Sequence, residues 1–139
     1  KKKNYKNILV LSTPITSKLK WHYKLLKKDG IKVKYISFPY LAYKIDDGVN
    51  IIKYLKKLKK EKKFIKKADS IVLGCTHYNV IKKQISQELK KYNFKGELID
   101  TNEILYNFFK KNGCLKKIKT KKRMRGRRRR KRTVKKKNK

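Results

Sequence analysis

The sequence predicts an α/β fold: a three-layer sandwich around an open four-stranded parallel sheet made of β-α repeats. Three observations lead there. Four short apolar runs recur along the chain, segments with helical spacing separate them, and two of the runs are nearly continuous Ile, Val and Leu. Such continuous runs are expected of parallel strands covered on both faces. Regular alternation of strand and helix implies right-handed crossovers and helices layered on the sheet.

The first strand is read at "NILVLS" (7–12), the first of the two continuous runs. Residues 15–28 follow with Leu19, Tyr23 and Leu26 at helical spacing and Asp29-Gly30 as a C-terminal stop. The second strand is "IKVKYIS" (31–37). A segment with helical spacing over 49–66 offers Ile51, Ile52, Leu55, Leu58 and Ile65. "SIVLGC" (70–75) is the third strand, and a helix over 78–91 offers Val80, Ile81, Ile85 and Leu89. "ELIDT" (97–101) is the fourth strand. The last helix, 102–112, offers Ile104, Leu105, Phe108 and Phe109 before the stop at Asn112-Gly113. No repeat at a solenoid period is present.

With 139 residues the chain is expected to hold one ordinary domain. Its formal charge of +36 is unevenly spread: residues 116–139 hold 17 of the 45 basic residues and none of the 9 acidic ones. We divide the chain into an α/β domain over 1–115 and a polybasic, low-complexity tail over 116–139, expected to be disordered because it has almost nothing to bury. Two readings of the basic body compete. One is an electrostatic footprint for nucleic acid or another polyanion. The other is a compositional bias toward Lys, Asn, Ile and Tyr, with lysines scattered over every surface. A dedicated nucleic-acid face would gather the charge on one side with aromatics among it.

The two cysteines, Cys75 and Cys114, make no disulfide framework. The first residue is Lys and no secretory signal pattern is present. No apolar run reaches membrane-spanning length, so no membrane partner is expected, and a reducing cytoplasm is the expected location.

Ligands of open parallel sheets bind outside the carboxyl ends of the strands. Here each of those ends carries polar groups: Ser12-Thr13 with Thr16 beyond, then Ser37, then Cys75-Thr76-His77, then Asp100-Thr101-Asn102. Asp100 and Thr101 read as helix N-caps. Thr13 and Thr16 suit a cap and a ligand site equally. Cys75 is not a favoured cap. At a strand-to-helix junction, exposed amides and the helix dipole favour a thiolate and offer a seat for a carboxylate. His77 can exchange a proton with that sulfur or its substrate, and Thr76 offers a hydroxyl and an amide. Other readings stay open at this point. Cys75 could be a small apolar residue ending a buried strand, or half of a Cys-His pair for acyl transfer. A metal site is not expected, because Cys75, His77, Cys114 and His22 lack ligand spacing. Cys114 is read as incidental.

"IVLGCTHY" resembles the second cysteine motif of the glutamate racemases, in the aspartate/glutamate racemase family. Histidine after Cys-Thr favours the glutamate branch. "ILVLSTPITSKLKWHY" resembles the segment that opens the family's second domain, "FPYLAYKIDDG" its Cys-Pro-rich segment, and "LIDTNEI" the strand and Asp-Ser/Thr turn that follow. The resemblance runs over about residues 7–110, and the tail resembles nothing in the family. It implies a cofactor-independent isomerase that interconverts L- and D-glutamate for peptidoglycan synthesis. Two cysteines, one from each half, then serve as acid and base on opposite faces of the α-carbon. Cys75 matches the second of these. Thr76 and His77 match residues that hold the substrate and assist the cysteine, and Thr13 and Thr16 match the two threonines of the first segment. Asp46 matches a position usually held by Glu that supports the histidine, and as the shorter acid it is expected to reach less far. Asn79 stands where the family commonly has Pro, a difference expected to matter only at the helix start.

The family's earlier half, with its Asp-Ser-Gly-like turn and Ala-Cys-Asn-Thr motif, has no match here. The chain is therefore expected to be incomplete as a racemase and to need a first half, or another copy, to supply the other cysteine. Its polybasic end is either a frame-shifted read through A-rich sequence or a genuine appendage. The alternative function is an inactive α/β domain whose tail binds nucleic acid or other polyanions. A broad-specificity amino-acid racemase is a third.

Overall fold

A computed structural model describes residues 4–112 of the chain. Gly113, Cys114 and the polybasic segment 116–139 lie outside the described residues. Four parallel strands form one sheet in the order β2-β1-β3-β4: β1 (Asn7–Ser12), β2 (Lys32–Ser37), β3 (Ser70–Leu73) and β4 (Glu97–Asp100). The α/β class, the parallel open sheet and the alternation of strand and helix are as the sequence predicts. The register aligns the carboxyl ends. Ser12 pairs with Ser37, Leu11 with Leu73, and Leu73 with Asp100. Sheet growth reverses at β1, with β2 on one side and β3 on the other. That reversal opens a crevice at the carboxyl ends of β1 and β3.

Period-two geometry sends alternate strand residues to opposite faces. Leu9 and Leu11 of β1 and Ile71 and Leu73 of β3 share one face, all fully buried. They cluster with Leu41, Ile51, Leu55, Leu58, Ile65, Ile81, Ile85 and Leu89 from the connecting segments. Each such side chain contributes about 1.5–3 kcal/mol by leaving water. Ile8 and Val10 face the other way and are buried outside that cluster. On that side α1 (Pro14–Leu19) contacts β1 and β2, and α2 (Trp21–Leu26) contacts β2.

The helical segments differ from expectation in detail. The expected helix over 15–28 is broken at Lys20, which is left-handed with φ 54°. There the Lys20 amide closes α1 on the Thr16 carbonyl, and the Tyr23 amide donates to the Tyr35 hydroxyl of β2 at 3.1 Å. A contact to the sheet thus replaces a continuous helical ladder. A short helix missed by the sequence reading, α3 (Leu41–Asp46), follows β2. The expected 49–66 helix is α4 (Ile52–Leu55), a 3-10 turn (Lys56–Glu61) and α5 (Lys62–Lys67). The expected 78–91 helix is a 3-10 turn (Thr76–Asn79) followed by α6 (Lys82–Lys90). Leu19, Ile52 and Val80, read as parts of apolar stripes, are exposed. The chain divides into two compact units after Asn102. Most of α7 (Thr101–Lys111) falls in the second unit, and it forms where the last helix was expected.

Asp69, between α5 and β3, holds the start of the sheet. Its carboxylate accepts the Lys6 and Asn7 amides at 2.7 Å each. Its own amide donates to the Asn7 carbonyl, and its carbonyl accepts the Glu97 amide. One residue therefore ties β1, β3 and β4 together at their amino ends. The Asn7 and Lys6 amides hold its carboxyl below the usual carboxylate range.

Candidate active site

Strand β3 ends at Leu73, and Gly74 carries the chain across to β1. The Gly74 amide donates to the Leu11 carbonyl at 2.8 Å. A Cβ on Gly74 would meet that carbonyl oxygen at 2.9 Å and Val10 Cγ1 at 3.0 Å. Only glycine lets the next residue sit this close to β1. That residue is Cys75, in extended backbone at the head of the Thr76–Asn79 turn. It is half-buried, packed against the edge of the core, and it lines a cleft of about 550 Å3. Its sulfur is therefore not enclosed among aliphatic side chains.

The cleft lies at the reversal of the sheet. Thr13 and Pro14 enter it from the end of β1, Phe38 and Tyr40 from the end of β2, Tyr43 and Asp46 from α3, and Cys75 and His77 from the end of β3. The wall is mainly apolar, and no Lys or Arg lines it among the described residues. In a chain so rich in lysine, that wall is set apart from the rest of the surface.

Within the cleft three polar side chains stand in line. His77 Nδ1 is 3.7 Å from Cys75 Sγ, and His77 Nε2 is 3.3 Å from Asp46 Oδ2. The Asp reaches the histidine despite its shorter side chain, because α3 contacts the Thr76–Asn79 turn and carries Asp46 to it. A carboxylate on one ring nitrogen favours a proton there and directs the other nitrogen's lone pair at the sulfur. The arrangement can pass a proton between thiol and imidazole. His77 and Asp46 are open to solvent, with side chains 41% and 63% exposed.

The other expected site residues are placed differently. Thr13 caps α1, its hydroxyl accepting the Thr16 amide at 3.4 Å and lying 3.1 Å from the Thr16 hydroxyl. Thr13 thus caps a helix and lines the cleft at once. Thr16 is in that hydrogen-bonded pair but is not part of the cleft lining. Thr76 is exposed and also outside the lining, and its carbonyl accepts Asn102 Nδ2 at 3.3 Å. Asp100 acts as a cap, accepting the Asn102 amide at 3.0 Å. Thr101, expected as a cap, instead donates its hydroxyl to the Leu73 carbonyl at 2.9 Å. His22 lies apart from the cleft, against Tyr35, and burial lowers its pKa. Among the described residues no three His, Cys, Asp or Glu side chains group to hold a metal ion.

Behind the turn, Tyr78 is fully buried. Its hydroxyl donates to the Ser12 carbonyl at 3.1 Å, and its ring meets Phe38 edge-on at 6.1 Å. Burial, and then the neighbouring Cys75 charge, push its ionisation well above the usual phenol range. It therefore acts as a neutral anchor between the end of β1 and the cysteine turn. Asn79 is less comfortable: both polar atoms of its side chain are buried without a hydrogen-bond partner.

Sequence reading missed the aromatic wall of Phe38, Tyr40 and Tyr43. A usable signal was Leu41 and Ile45 at helical spacing just after Pro39. Those two pack on the core and turn the tyrosines outward.

Comparison with known proteins bears on this site. The glutamate racemase of Aquifex pyrophilus is 32% identical over 119 residues, covering 81% of this chain and 45% of that protein. The glutamate racemase of Aquifex aeolicus (strain VF5) is 30% identical over 115 residues, with the same coverage of each chain. The crystal structure of glutamate racemase isoform RacE1 from Bacillus anthracis superposes with a TM-score of 0.54 at 25% identity. It covers 77% of this chain and 42% of that one. No family model matches the chain. The chain spans less than half the length of the relatives it matches, and over that span it is similar, in sequence and in fold, to the glutamate racemases.

Proposed function

We propose that this chain is the part of a glutamate racemase that carries one of its two acid/base cysteines, acting without a cofactor. The observation that carries this reading is the line Asp46–His77–Cys75 along a cleft at the reversal of the sheet. As thiolate, Cys75 takes the α-proton of L-glutamate onto its sulfur, leaving a carbanion at the α-carbon. Racemisation is complete when a proton is delivered to the opposite face. His77 receives and returns the proton of Cys75, and Asp46 holds the imidazole in the orientation that allows it. The Thr13 hydroxyl and the first amides of the Thr76–Asn79 turn bind the α-carboxylate, with Thr76 contributing through its backbone and Thr16 by orienting Thr13.

Inversion needs a group on each face of the α-carbon, and the described residues bring one thiol to the cleft. The second acid/base group, by this reading, comes from polypeptide that closes over the apolar wall, either a first half or another copy. The product D-glutamate would serve peptidoglycan synthesis.

The test is to incubate the chain with L-glutamate in deuterated buffer and analyse the recovered amino acid. Deuterium should enter the α-position of L-glutamate, and Cys75→Ala should abolish this. Exchange at the same rate in Cys75→Ala would refute the role of the sulfur. Sustained D-glutamate production by the chain alone would refute the need for a second contributor.

A further inference from the structure

The surface of α2 has a property that the cleft does not use. Trp21 and Leu25, four residues apart, lie on one side of this helix and are 57% and 71% exposed. Lys24 lies on the same side, its ammonium 4.9 Å above the Trp21 ring, and Lys28 follows one turn later. Leu19, at the end of α1 just before the left-handed joint, is 45% exposed. The opposite side of α2 packs on β2. Residues 14–28 carry five lysines and no acidic residue.

We propose that this outer face of α1–α2 docks on an anionic lipid surface, with Leu19, Trp21 and Leu25 entering the headgroup boundary and the lysines pairing with lipid phosphates. Helices that lie in a membrane interface combine this residue set: Trp and Leu on one face, Lys around them, and low overall hydrophobicity. Charge attracts the chain to the surface, and the apolar side chains then hold it there. Exposed aliphatic side chains favour lipid over nucleic acid, because Leu offers a base nothing to stack on. The expectation of no membrane partner rested on the lack of a spanning run. Among the described residues no helix is long and apolar enough to cross a membrane, but lying on a surface requires no such helix.

Trp21 is the chain's single tryptophan, so its fluorescence reports on this face and not on the basic segment 116–139. The full chain is titrated with vesicles of phosphatidylglycerol and phosphatidylcholine, with pure phosphatidylcholine vesicles and with a single-stranded RNA oligonucleotide. Expected are a blue shift of Trp21 emission and protection from acrylamide with the anionic vesicles only. The double variant Leu19→Ser, Leu25→Ser keeps the charge and touches only exposed positions, so the fold survives. It should bind these vesicles about tenfold more weakly. Three results would each overturn the proposal: cosedimentation with anionic vesicles while Trp21 emission stays unchanged, a shift produced by RNA and not by vesicles, or undiminished vesicle binding by the double variant.

Discussion

At the scale of single residues, the cleft depends on contacts of a few tenths of an ångström. Gly74 is the clearest case, since Gly74→Ala drives a methyl group into the Leu11 carbonyl. We expect a loss of about 1–3 kcal/mol in urea unfolding, together with faster alkylation of a displaced Cys75. Asp46 is a smaller matter. Its pair with His77 is exposed, and such pairs are worth up to about 1 kcal/mol. Asp46→Asn should therefore slow α-deuterium exchange by no more than about fivefold, and Asp46→Glu should retain the wild-type rate. A loss of several hundredfold in Asp46→Asn would assign the carboxylate a more direct part in proton transfer. Cys75 and His77 were legible in the sequence because Cys-Thr-His at the end of an apolar run is an unusual way to start a helix, whereas Asp46 was picked out only by the resemblance of its segment. That Asp46 reaches His77 was not legible, because it depends on where α3 sits and not on the length of the side chain.

At the scale of elements, the cysteine turn is held from two sides. Tyr78 anchors it to β1, and Asn102 anchors it to the end of β4. The Ser12 carbonyl that accepts the Tyr78 hydroxyl also accepts the Phe38 amide at 2.9 Å. Tyr78→Phe therefore leaves no orphaned acceptor and should cost only about 1 kcal/mol, read as a small drop in melting temperature. Asn79 should behave in the opposite way. Replacing its unpartnered buried amide by the similarly branched, apolar side chain of Leu should stabilise the chain by about 1–3 kcal/mol. A destabilised Asn79→Leu would mean that the amide has a role in the turn. The strands were legible because continuous apolar runs have few other uses, and β1 and β2 fall within a residue of their expected bounds. The helices were legible only as segments. Their 3-10 stretches and the Lys20 break arise from docking on the sheet, which periodicity along one segment does not encode. Helix α3 went unread because it buries one residue fully, Leu41, and shows Tyr43 to the cleft.

At the scale of the whole molecule, two carboxylates connect stability to pH. The Asn7 and Lys6 amides hold the Asp69 carboxyl low. Lys91 and then Tyr92 do the same for buried Glu88, at 2.6 and 2.8 Å. Both groups bind protons less readily folded than unfolded. Their contribution is complete above the unfolded carboxyl range, near pH 4, and is lost as pH falls through the lower folded values. Urea midpoints should decline through that acidic window, and Asp69→Asn and Glu88→Gln should each flatten the decline. The cleft is also a whole-molecule property, since the strand order β2-β1-β3 brings residues 13, 38–46 and 75–77 together from three separate turns. The most direct measurement of whether glutamate seats beside this sulfur is the rate of iodoacetamide labelling at Cys75, read on its own peptide by mass spectrometry. L-Glutamate should slow that labelling in a saturable way while L-lysine leaves it unchanged. A Cys75 that is inert in the folded chain, or labelled equally fast with and without L-glutamate, would contradict the proposed site.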